Sequence, residues 1–387
     1  MKSNSMPVRP AILAAAVSIA AHGLCAQATS PAAVAERLAC RTAYTDTTAS
    51  RADTARRSSL SGADCYRALL KQVAGVDIST DSMYDEAVRQ RLKLVDRIRV
   101  AGAALFGEQL PAIEVLRRVR GDPQFVLNGP DSVMAAYSTE LARARAAIPP
   151  LFFPTPDAPL DVRAIPEAQA AYSAPAAYTP SQNGNRATFL VNAYQPGGIA
   201  KMNVMMGIVH EAYPGHHFQK LYADANHTNG NANFVNIGFV EGWGIYAEQL
   251  GDEVGLYTTP LDRIGYLTHL FDVFMALQID IGMHARGWTH AQAVDTMLAV
   301  SGRPHVQAVQ YANRHVTTPG QLASYGIGFL AIKLGRESAE AALGPKFNLQ
   351  EFHDAVLRYG AVTLPQLREN IDRWVATRAK AGADGGH

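Results

Sequence analysis

Residues 207–222 read GIVHEAYPGHHFQKLY, and the interpretation of the whole chain depends on this stretch. Histidine and glutamate stand side by side at His210 and Glu211, as in the H-E-x-x-H pattern, where two histidines one helical turn apart bind a zinc ion. Pro214 occupies the position of the second histidine, and two histidines follow at His216 and His217. The stretch is a damaged metal motif, a different metal motif, or no metal motif.

The proline and glycine of this stretch offer a way to deliver a late histidine. Pro214 has no amide proton and crowds the preceding helical turn, and Gly215 permits backbone conformations closed to other residues. We expect a local bulge within one helix over about 201–225, which favours His216 as the second ligand. On an unbroken helix His217 would return to the face of His210, so His217 remains the alternative, otherwise a packing group or a support for the ligands.

A third ligand is expected from the next helical segment, FVEGWGIYAEQLGDE. Glu241 follows His216 by 25 residues, and Glu248 follows Glu241 by seven, nearly on the same helical face. Glu248 could therefore orient a ligand histidine through a hydrogen bond. Each feature alone also has an ordinary interpretation, since polar residues often end a helix and an acid is favoured at a helix N-terminus.

Taken together, these residues match the needs of zinc hydrolysis. The chemistry requires three protein ligands, an open position for water, and a carboxylate that takes the proton of that water. His210, His216 and Glu241 would supply the ligands for Zn²⁺, and Glu211 would be the general base. Histidine and carboxylate donors favour zinc without excluding other metals.

Composition limits the other functional classes. The chain has 387 residues, is 48% hydrophobic and 18% charged, and carries a formal net charge of +1. This length is sufficient for one large core or two smaller ones. The near-neutral charge argues against nucleic-acid binding, which needs a basic face to neutralise phosphates.

The N-terminus has the pattern of an export signal. Lys2 and Arg9 precede an apolar run from Ala11 to about Leu24, and Ala26-Gln27-Ala28 forms a small-x-small cleavage site. The run is too short to span a bilayer, so residues 1–28 are predicted to be a signal peptide cleaved after Ala28. The mature protein is expected in the periplasm or outside the cell, without a membrane span. A lipid anchor on Cys25 would need a small residue in place of Leu24.

Export changes the interpretation of the cysteines. Cys25 would leave with the signal peptide, and Cys40 and Cys65 would remain. In an oxidising compartment two cysteines favour one disulfide, although two unrelated thiols are the alternative.

The pattern of apolar residues predicts a mainly α fold with a small β element before the motif helix. Residues 29–65 read as a poorly ordered leader, and residues 66–380 read as one helical domain. Asp131 is predicted to cap a helix after Pro130. The segment ATFLVNAY, residues 187–194, is the strongest strand candidate, and helical patterns follow over about 239–251, 262–286, 289–300, 319–340, 348–358 and 364–378.

The motifs of this chain are similar to those of a bacterial family of unknown function, DUF885. The resemblance covers about 117–374 and rests on five motifs in the family's order, HEAYPGHHFQ, FVEGWGIYAE, IDIGMHARGWTHAQA, PGQLASYGIG and FHDAVL. It implies a helical fold like that of zinc metallopeptidases with a glutamate third ligand. It also implies His210, His216 and Glu241 as metal ligands and Glu211 as the base.

Further candidate residues accompany the resemblance. Arg314 and Tyr325 stand where the family also has arginine and tyrosine, and either could stabilise an oxyanion opposite the metal. Each could equally have a structural partner.

Three other polar residues are weaker candidates. Asp280 and His284, one helical turn apart, could support the site or simply form a structural hydrogen bond, and Asn192 could hold a substrate backbone. His315 and Gly326 depart from the family pattern, which we expect to change substrate contacts rather than zinc binding.

The sequence therefore predicts an exported zinc-dependent hydrolase that cleaves amide bonds, most plausibly in a peptide or a small amide substrate. The alternative is a relative that binds metal without catalysis and serves as a binding module. A metal-free helical scaffold is a third hypothesis, which metal analysis would test.

Overall fold

The structure is a computed structural model, and it describes residues 62–75, 77–154, 158–180, 186–195, 197–226 and 236–381. The predicted signal peptide, nearly all of the predicted leader, and Cys40 lie outside these residues. Cys65 is buried and disulfide-bonded, so it is not a free thiol.

Helices dominate the described chain, as predicted. The helices before the motif are α1 (Gly62–Ala74), α2 (Thr80–Phe106), α3 (Ala112–Gly121) and α4 (Pro130–Ala146). The helices from the motif onward are α5 (Val204–Glu211), α6 (His216–Asn226), α7 (Ile237–Glu253), α8 (Pro260–His284), α9 (His290–Ser301), α10 (His305–Thr317), α11 (Gln321–Leu343), α12 (Leu349–Leu357) and α13 (Leu364–Ala381).

The β element consists of five short strands, of which the first lies between α3 and α4 and the other four lie between α4 and α5. They are β1 (Val126–Leu127), β2 (Leu160–Ala164), β3 (Ala176–Thr179), β4 (Ala187–Val191) and β5 (Ile199–Ala200). β4 is the centre of a three-stranded sheet, parallel to β2 and antiparallel to β3, while β1 pairs with β5. Alternate residues of β4 are buried, which is the period-2 pattern that predicted this strand. β3 is thus an edge strand, and it contacts α5.

Several boundaries differ from the predictions. The helix expected over 201–225 is two helices, α5 and α6. Two further helices, α3 and α10, were not predicted; in α10 only Ala308, Ala312 and His315 are buried, which leaves a weak apolar stripe. Asp131 is not a cap, because Gly129 holds the N-cap position of α4 without a side-chain hydrogen bond.

α8 forms the centre of the core. Its start is well defined, since Thr259 and Asp262 form a capping box and Pro260 begins the helix. It packs against α2 and α11. By length and composition α8 could cross a membrane, but 94% of its most apolar window is buried inside the protein, which is typical of a core helix.

α7 and α11 cross at very short distance because both carry glycine at the crossing. A Cβ atom added at Gly242 would lie 2.3 Å from the carbonyl carbon of Gly328, and one added at Gly328 would lie 1.7 Å from the carbonyl oxygen of Gly238. Any larger residue would push these helices apart. The crossing brings the start of α11 beside the start of α7, where Glu241 lies.

Candidate metal centre

The motif lies on two helices separated by a turn, and not on one helix with a bulge. The amides of Ala212 and Tyr213 both donate to the carbonyl of Ile208, at 2.8 and 3.3 Å, and α5 ends there. The Tyr213–Pro214 peptide bond is cis, and α6 begins at His216. The expectation of a single bulged helix was therefore wrong, because the turn after Glu211 is a full break with its own hydrogen bonds.

Two contacts fold this turn against the end of α5. The indole N–H of the buried Trp243 donates to the carbonyl oxygen of Pro214 at 2.9 Å. A Cβ atom added at Gly215 would lie 1.8 Å from the carbonyl oxygen of His210, so glycine is required for the approach. As a result the rings of His210 and His216 lie edge to face with centroids 4.7 Å apart.

The two rings face one carboxylate. The Nε2 atoms of His210 and His216 each lie 3.5 Å from Oε2 of Glu241. Ligand atoms bound to a tetrahedral zinc ion, about 2.1 Å from the metal, lie roughly 3.4 Å from one another. Strong hydrogen bonds between such charged groups would be shorter, about 2.7–2.9 Å. The spacing of these three side chains thus fits a metal ion between them.

The rest of the site also suits a cation that stays accessible. One ligand atom each from His210, Glu211 and His216 lie within 4.8 Å of one another. The side chains of His210, His216 and Glu241 are 9%, 11% and 18% exposed. Partial exposure leaves a route for water or substrate to an open coordination position.

Glu248 determines the orientation of His210. The Nδ1 atom of His210 lies 2.8 Å from Oε1 of Glu248, whose side chain is fully buried. An ionised carboxylate can only accept, so Nδ1 carries a proton, which leaves Nε2 as the nitrogen that can bind a metal on the side of Glu241. The same Glu248 oxygen accepts from Nδ1 of His269 on α8, also at 2.8 Å.

The charges of the site favour a positive group at its centre. Burial alone would lower the pKa of His210, but the facing carboxylate of Glu241, the hydrogen bond to Glu248 and the charges of the nearby carboxylates raise it well above its usual value. Burial would raise the pKa of Glu241, yet His210 and His216 hold it well below its usual range. These carboxylates attract positive charge, which a divalent metal supplies.

Glu211 is held by the edge strand. Its Oε2 accepts from the backbone N–H of Tyr178 on β3 at 3.0 Å. His217 faces away from Glu241 and contacts two tyrosines. Its Nδ1 lies 3.4 Å from the Tyr178 hydroxyl, and its ring packs edge-on against Tyr178 and Tyr213. The sequence left two histidines as candidates for the second ligand. In the structure His216 lies beside Glu241, and His217 packs against Tyr178 of β3.

Tyr325 lies against the candidate metal ligands. Its ring stacks on His210 with centroids 6.4 Å apart and an interplanar angle of 13°. Burial raises the pKa of Tyr325 well above its usual value; the charges of Glu241 and Glu211 and a hydrogen bond to Glu241 act in the same direction, whereas Arg314 lowers it. The phenol therefore remains a hydrogen-bond donor, and Arg314 is close enough to act on it electrostatically.

Asp280 and His284 belong to a different cluster. Asp280 is fully buried and accepts from the Tyr66 hydroxyl at 2.7 Å, from His315 Nδ1 at 2.8 Å and from the Gly320 amide at 2.8 Å. His284 donates from Nε2 to the carbonyl oxygen of His315 at 2.9 Å. His315 is fully buried in this cluster, so its departure from the family pattern reflects a structural pair with Asp280 instead of the expected substrate contact.

Asn192 is also buried. Its Nδ2 donates to the carbonyls of Ala170 and Ser173, at 2.8 and 3.2 Å, and so ties the end of β4 to the chain that enters β3. These bonds support the edge strand that contacts Glu211.

Two members of the site were not predicted from the sequence. His269 is a lone histidine in an apolar helix, YLTHLFD, and carries no motif that would distinguish it from a core residue. Tyr178 acts through its backbone N–H, which every residue except proline has. Neither contact could be found without the packing of helices and strands.

Solved structures resemble this fold. A crystal structure from Colwellia psychrerythraea, of a protein described as a "putative lipoprotein", matches with a TM-score of 0.76 and 25% identity, over 81% of this chain and 55% of that chain. A "putative lipoprotein of unknown function" from Shewanella oneidensis matches with a TM-score of 0.68 and 21% identity, over 79% of this chain and 59% of that one. The chain thus matches somewhat more than half the length of these neighbours.

No curated protein matches the chain. The sequence profile of the bacterial proteins of unknown function DUF885 matches residues 9–371, which extends the resemblance seen over 117–374 about a hundred residues toward the N-terminus. The chain belongs to the DUF885 family of bacterial proteins of unknown function.

Proposed function

We propose that this chain is an exported zinc-dependent hydrolase that cleaves amide bonds in peptides. The observation that carries the proposal is the spacing of His210, His216 and Glu241, whose facing atoms are 3.5 Å apart. This is the separation of zinc ligands, and a carboxylate, Glu211, lies beside them.

Each residue of the site has a separate role in the proposed hydrolysis. Zinc, when bound, polarises the scissile carbonyl and lowers the pKa of water to about 7. Glu211 takes the proton of the attacking water and passes it to the leaving amine, so that the amide and one water become a carboxylic acid and an amine. Tyr325 donates a hydrogen bond to the oxygen that gains negative charge, and Arg314 adds positive potential there.

The edge strand favours a peptide as substrate. β3 presents its outer edge toward Glu211, since the Tyr178 amide that points away from β4 reaches that carboxylate. An extended peptide can pair with the main chain of such an edge and bring a scissile amide to the metal. This supports a peptide over a small amide without a backbone.

The proposed location is outside the cytoplasm. The N-terminal pattern of Lys2, Arg9 and the apolar run is that of an export signal, and the two structural neighbours are described as lipoproteins, which fits the same location. Mass spectrometry of the N-terminus of the mature protein tests cleavage after Ala28. A lipid-modified Cys25 would instead make this chain a lipoprotein as well.

Zinc analysis combined with Glu211→Gln tests the function. The wild-type chain, purified without chelator, should bind one zinc ion and digest a peptide library. Glu211→Gln should keep the zinc and lose hydrolysis, because the amide cannot take up the proton of water. Hydrolysis by this variant would exclude Glu211 as the base.

The same experiment tests the alternative. A wild-type protein with one zinc ion and no turnover on any peptide would be the metal-binding, non-catalytic module. A wild-type protein without stoichiometric metal would overturn both.

A further inference from the structure

His269 completes a hydrogen-bonded chain that begins at a proposed metal ligand. Its Nδ1 donates to both oxygens of Glu248, at 2.8 and 2.9 Å, while His210 Nδ1 donates to Oε1 of the same carboxylate at 2.8 Å. The three residues come from three different helices, α8, α7 and α5. Glu248 is fully buried, whereas the His269 side chain is 29% exposed.

The contacts on Glu248 fix its carboxylate plane. His210 contacts one oxygen, which alone would leave the carboxylate free to turn about that bond. His269 spans both oxygens and removes this freedom, and the Tyr257 hydroxyl donates to the backbone carbonyl of Glu248 at 3.1 Å. We propose that His269 is a positioning residue: it holds Glu248 so that His210 directs Nε2 at the metal, an inference that rests on the proposed zinc site.

The distances favour hydrogen bonds over a second metal ion at the cluster of His210, Glu248 and His269. The ring nitrogens lie 2.8–2.9 Å from the carboxylate oxygens, which is the length of a hydrogen bond. A tetrahedral zinc ion needs its ligand atoms roughly 3.4 Å apart. The two nitrogens of His210 therefore have different surroundings. Nε2 lies 3.5 Å from the Glu241 carboxylate, which suits a shared metal ion, whereas Nδ1 lies 2.8 Å from the Glu248 carboxylate, which is a hydrogen bond.

The position of His269 is itself well fixed. One turn further along α8, Asp272 is paired with Arg303 and, at 3.1 Å, with Arg120, and all three are largely buried. These pairs hold α8 against α3 and the segment that follows α9. His269 is therefore presented to Glu248 from a rigid helix.

A matched pair of variants tests the proposal through zinc affinity, without relying on catalysis. His269→Leu keeps much of the side-chain volume and removes both nitrogens, whereas His269→Gln keeps an N–H donor. His305→Ala removes an exposed histidine from the start of α10 and is the control. Affinity is measured on the full chain by competition with a chromophoric chelator, and the visible spectrum of the Co²⁺-loaded protein reports ligand geometry.

We expect His269→Leu to weaken zinc binding about 10- to 100-fold, the usual loss when the hydrogen-bond partner of a ligand is disturbed. His269→Gln should recover most of the affinity, and His305→Ala should match the wild type. The Co²⁺ spectrum should change in His269→Leu alone. A purely structural role would lower the unfolding midpoint without altering affinity or spectrum in the folded protein.

Two outcomes are decisive against the proposal. If the wild type binds zinc and His269→Leu binds it equally well, the positioning role is overturned and the zinc site stands. Equal losses in His269→Leu and His269→Gln also overturn it, because the donor would not matter. A wild type that binds no zinc overturns the proposed function itself. If His269→Leu does not fold, His269→Ala takes its place.

Discussion

Two clusters of histidine and carboxylate, one partly exposed and one fully buried, differ in the distance between the carboxylate and the groups that face it. In the Glu241 cluster (His210, His216 and Glu241) both ring nitrogens stand 3.5 Å from the carboxylate oxygen. In the Asp280 cluster (Tyr66, Asp280, His315 and Gly320) three donors lie 2.7–2.8 Å from the carboxylate. The distances in the Glu241 cluster suit a metal ion between the side chains, whereas those in the Asp280 cluster are direct hydrogen bonds.

The difference shows why residue types alone do not identify a metal site. Both clusters offer the donors that zinc prefers, and both lie in motifs of the family. Asp280 has its oxygens occupied by protein donors from α1, α10 and α11, so the cluster stabilises the packing of helices. The facing atoms of Glu241 and the two histidines are 3.5 Å apart, which is close to the separation of ligands around a zinc ion.

The largest effect is expected from forcing open the turn that brings His216 to the Glu241 cluster. In Gly215→Ala the new methyl group would lie 1.8 Å from the His210 carbonyl oxygen, so the turn must open and His216 must move away. We expect a loss of roughly 3–5 kcal/mol in the free energy of unfolding and no zinc binding. Urea unfolding and metal analysis measure both.

Gly207→Ala in α5 is the control for that substitution. The nearest atom to its added methyl group is the Tyr137 hydroxyl oxygen at 3.8 Å, so the protein should keep its stability and its zinc. Gly215→Ala with wild-type stability and zinc would mean that the turn is not required for the site.

Replacing His216 and His217 one at a time tests which of the two histidines binds the metal. His216→Ala removes one of the three proposed ligands and should reduce zinc affinity roughly 1000-fold or more, since each ligand is a large share of the binding energy. His217→Ala removes a ring that contacts Tyr178 and Tyr213 and should change affinity much less. Zinc competition on both variants measures this, and the reverse order would make His217 the ligand.

A crossed pair of substitutions tests the two clusters against each other. Asp280→Asn replaces an acceptor of three hydrogen bonds with a group that must also donate, and we expect a loss of about 3 kcal/mol in unfolding free energy. Glu241→Gln should lower zinc affinity sharply, because the side chain loses the charge that a divalent cation needs.

The free energy of unfolding of both variants is measured without metal, and the zinc affinity is measured by titration of the folded protein. The comparison would fail if Asp280→Asn lost zinc affinity while remaining fully stable.

The smallest effect concerns a histidine that belongs to neither cluster. His353 is fully buried, donates from Nδ1 to the Leu151 carbonyl and accepts from the Tyr246 hydroxyl, and burial lowers its pKa to about 3. Between that value and the unfolded pKa of about 6.5, the unfolded chain binds a proton that the folded protein does not. Stability should therefore fall by up to about 1.4 kcal/mol per pH unit as the pH is lowered through this range.

His353→Gln should flatten the decline of stability with falling pH by the equivalent of one proton, and His305→Gln at an exposed position should leave it unchanged. Urea unfolding at several pH values between 6.5 and 4.5 measures the slope. An equal slope in wild type and His353→Gln would show that His353 does not contribute to the acid sensitivity.

Most of the helices could be predicted because their apolar residues recur at helical spacing along the chain itself. The strand β4, and with it the small β element, was visible from the period-2 alternation of its residues. The candidate set of His210, Glu211, His216 and Glu241 was visible from the types and spacing of these residues in two short motifs. In α3 the spacing of Val115, Leu116 and Val119 is helical, although the helix was not predicted, whereas α10 has too few buried residues to produce a clear pattern.

Only the tertiary structure decided which of the candidates meet. The break between α5 and α6 depends on Trp243 from another helix, and the distance between His210 and His216 depends on Gly215 fitting against His210. His269 reaches Glu248, and His315 reaches Asp280, across 21 and 35 residues of sequence. A local pattern reports which residue types lie on one helix face, but the distances that separate a metal site from a hydrogen bond arise when distant helices pack.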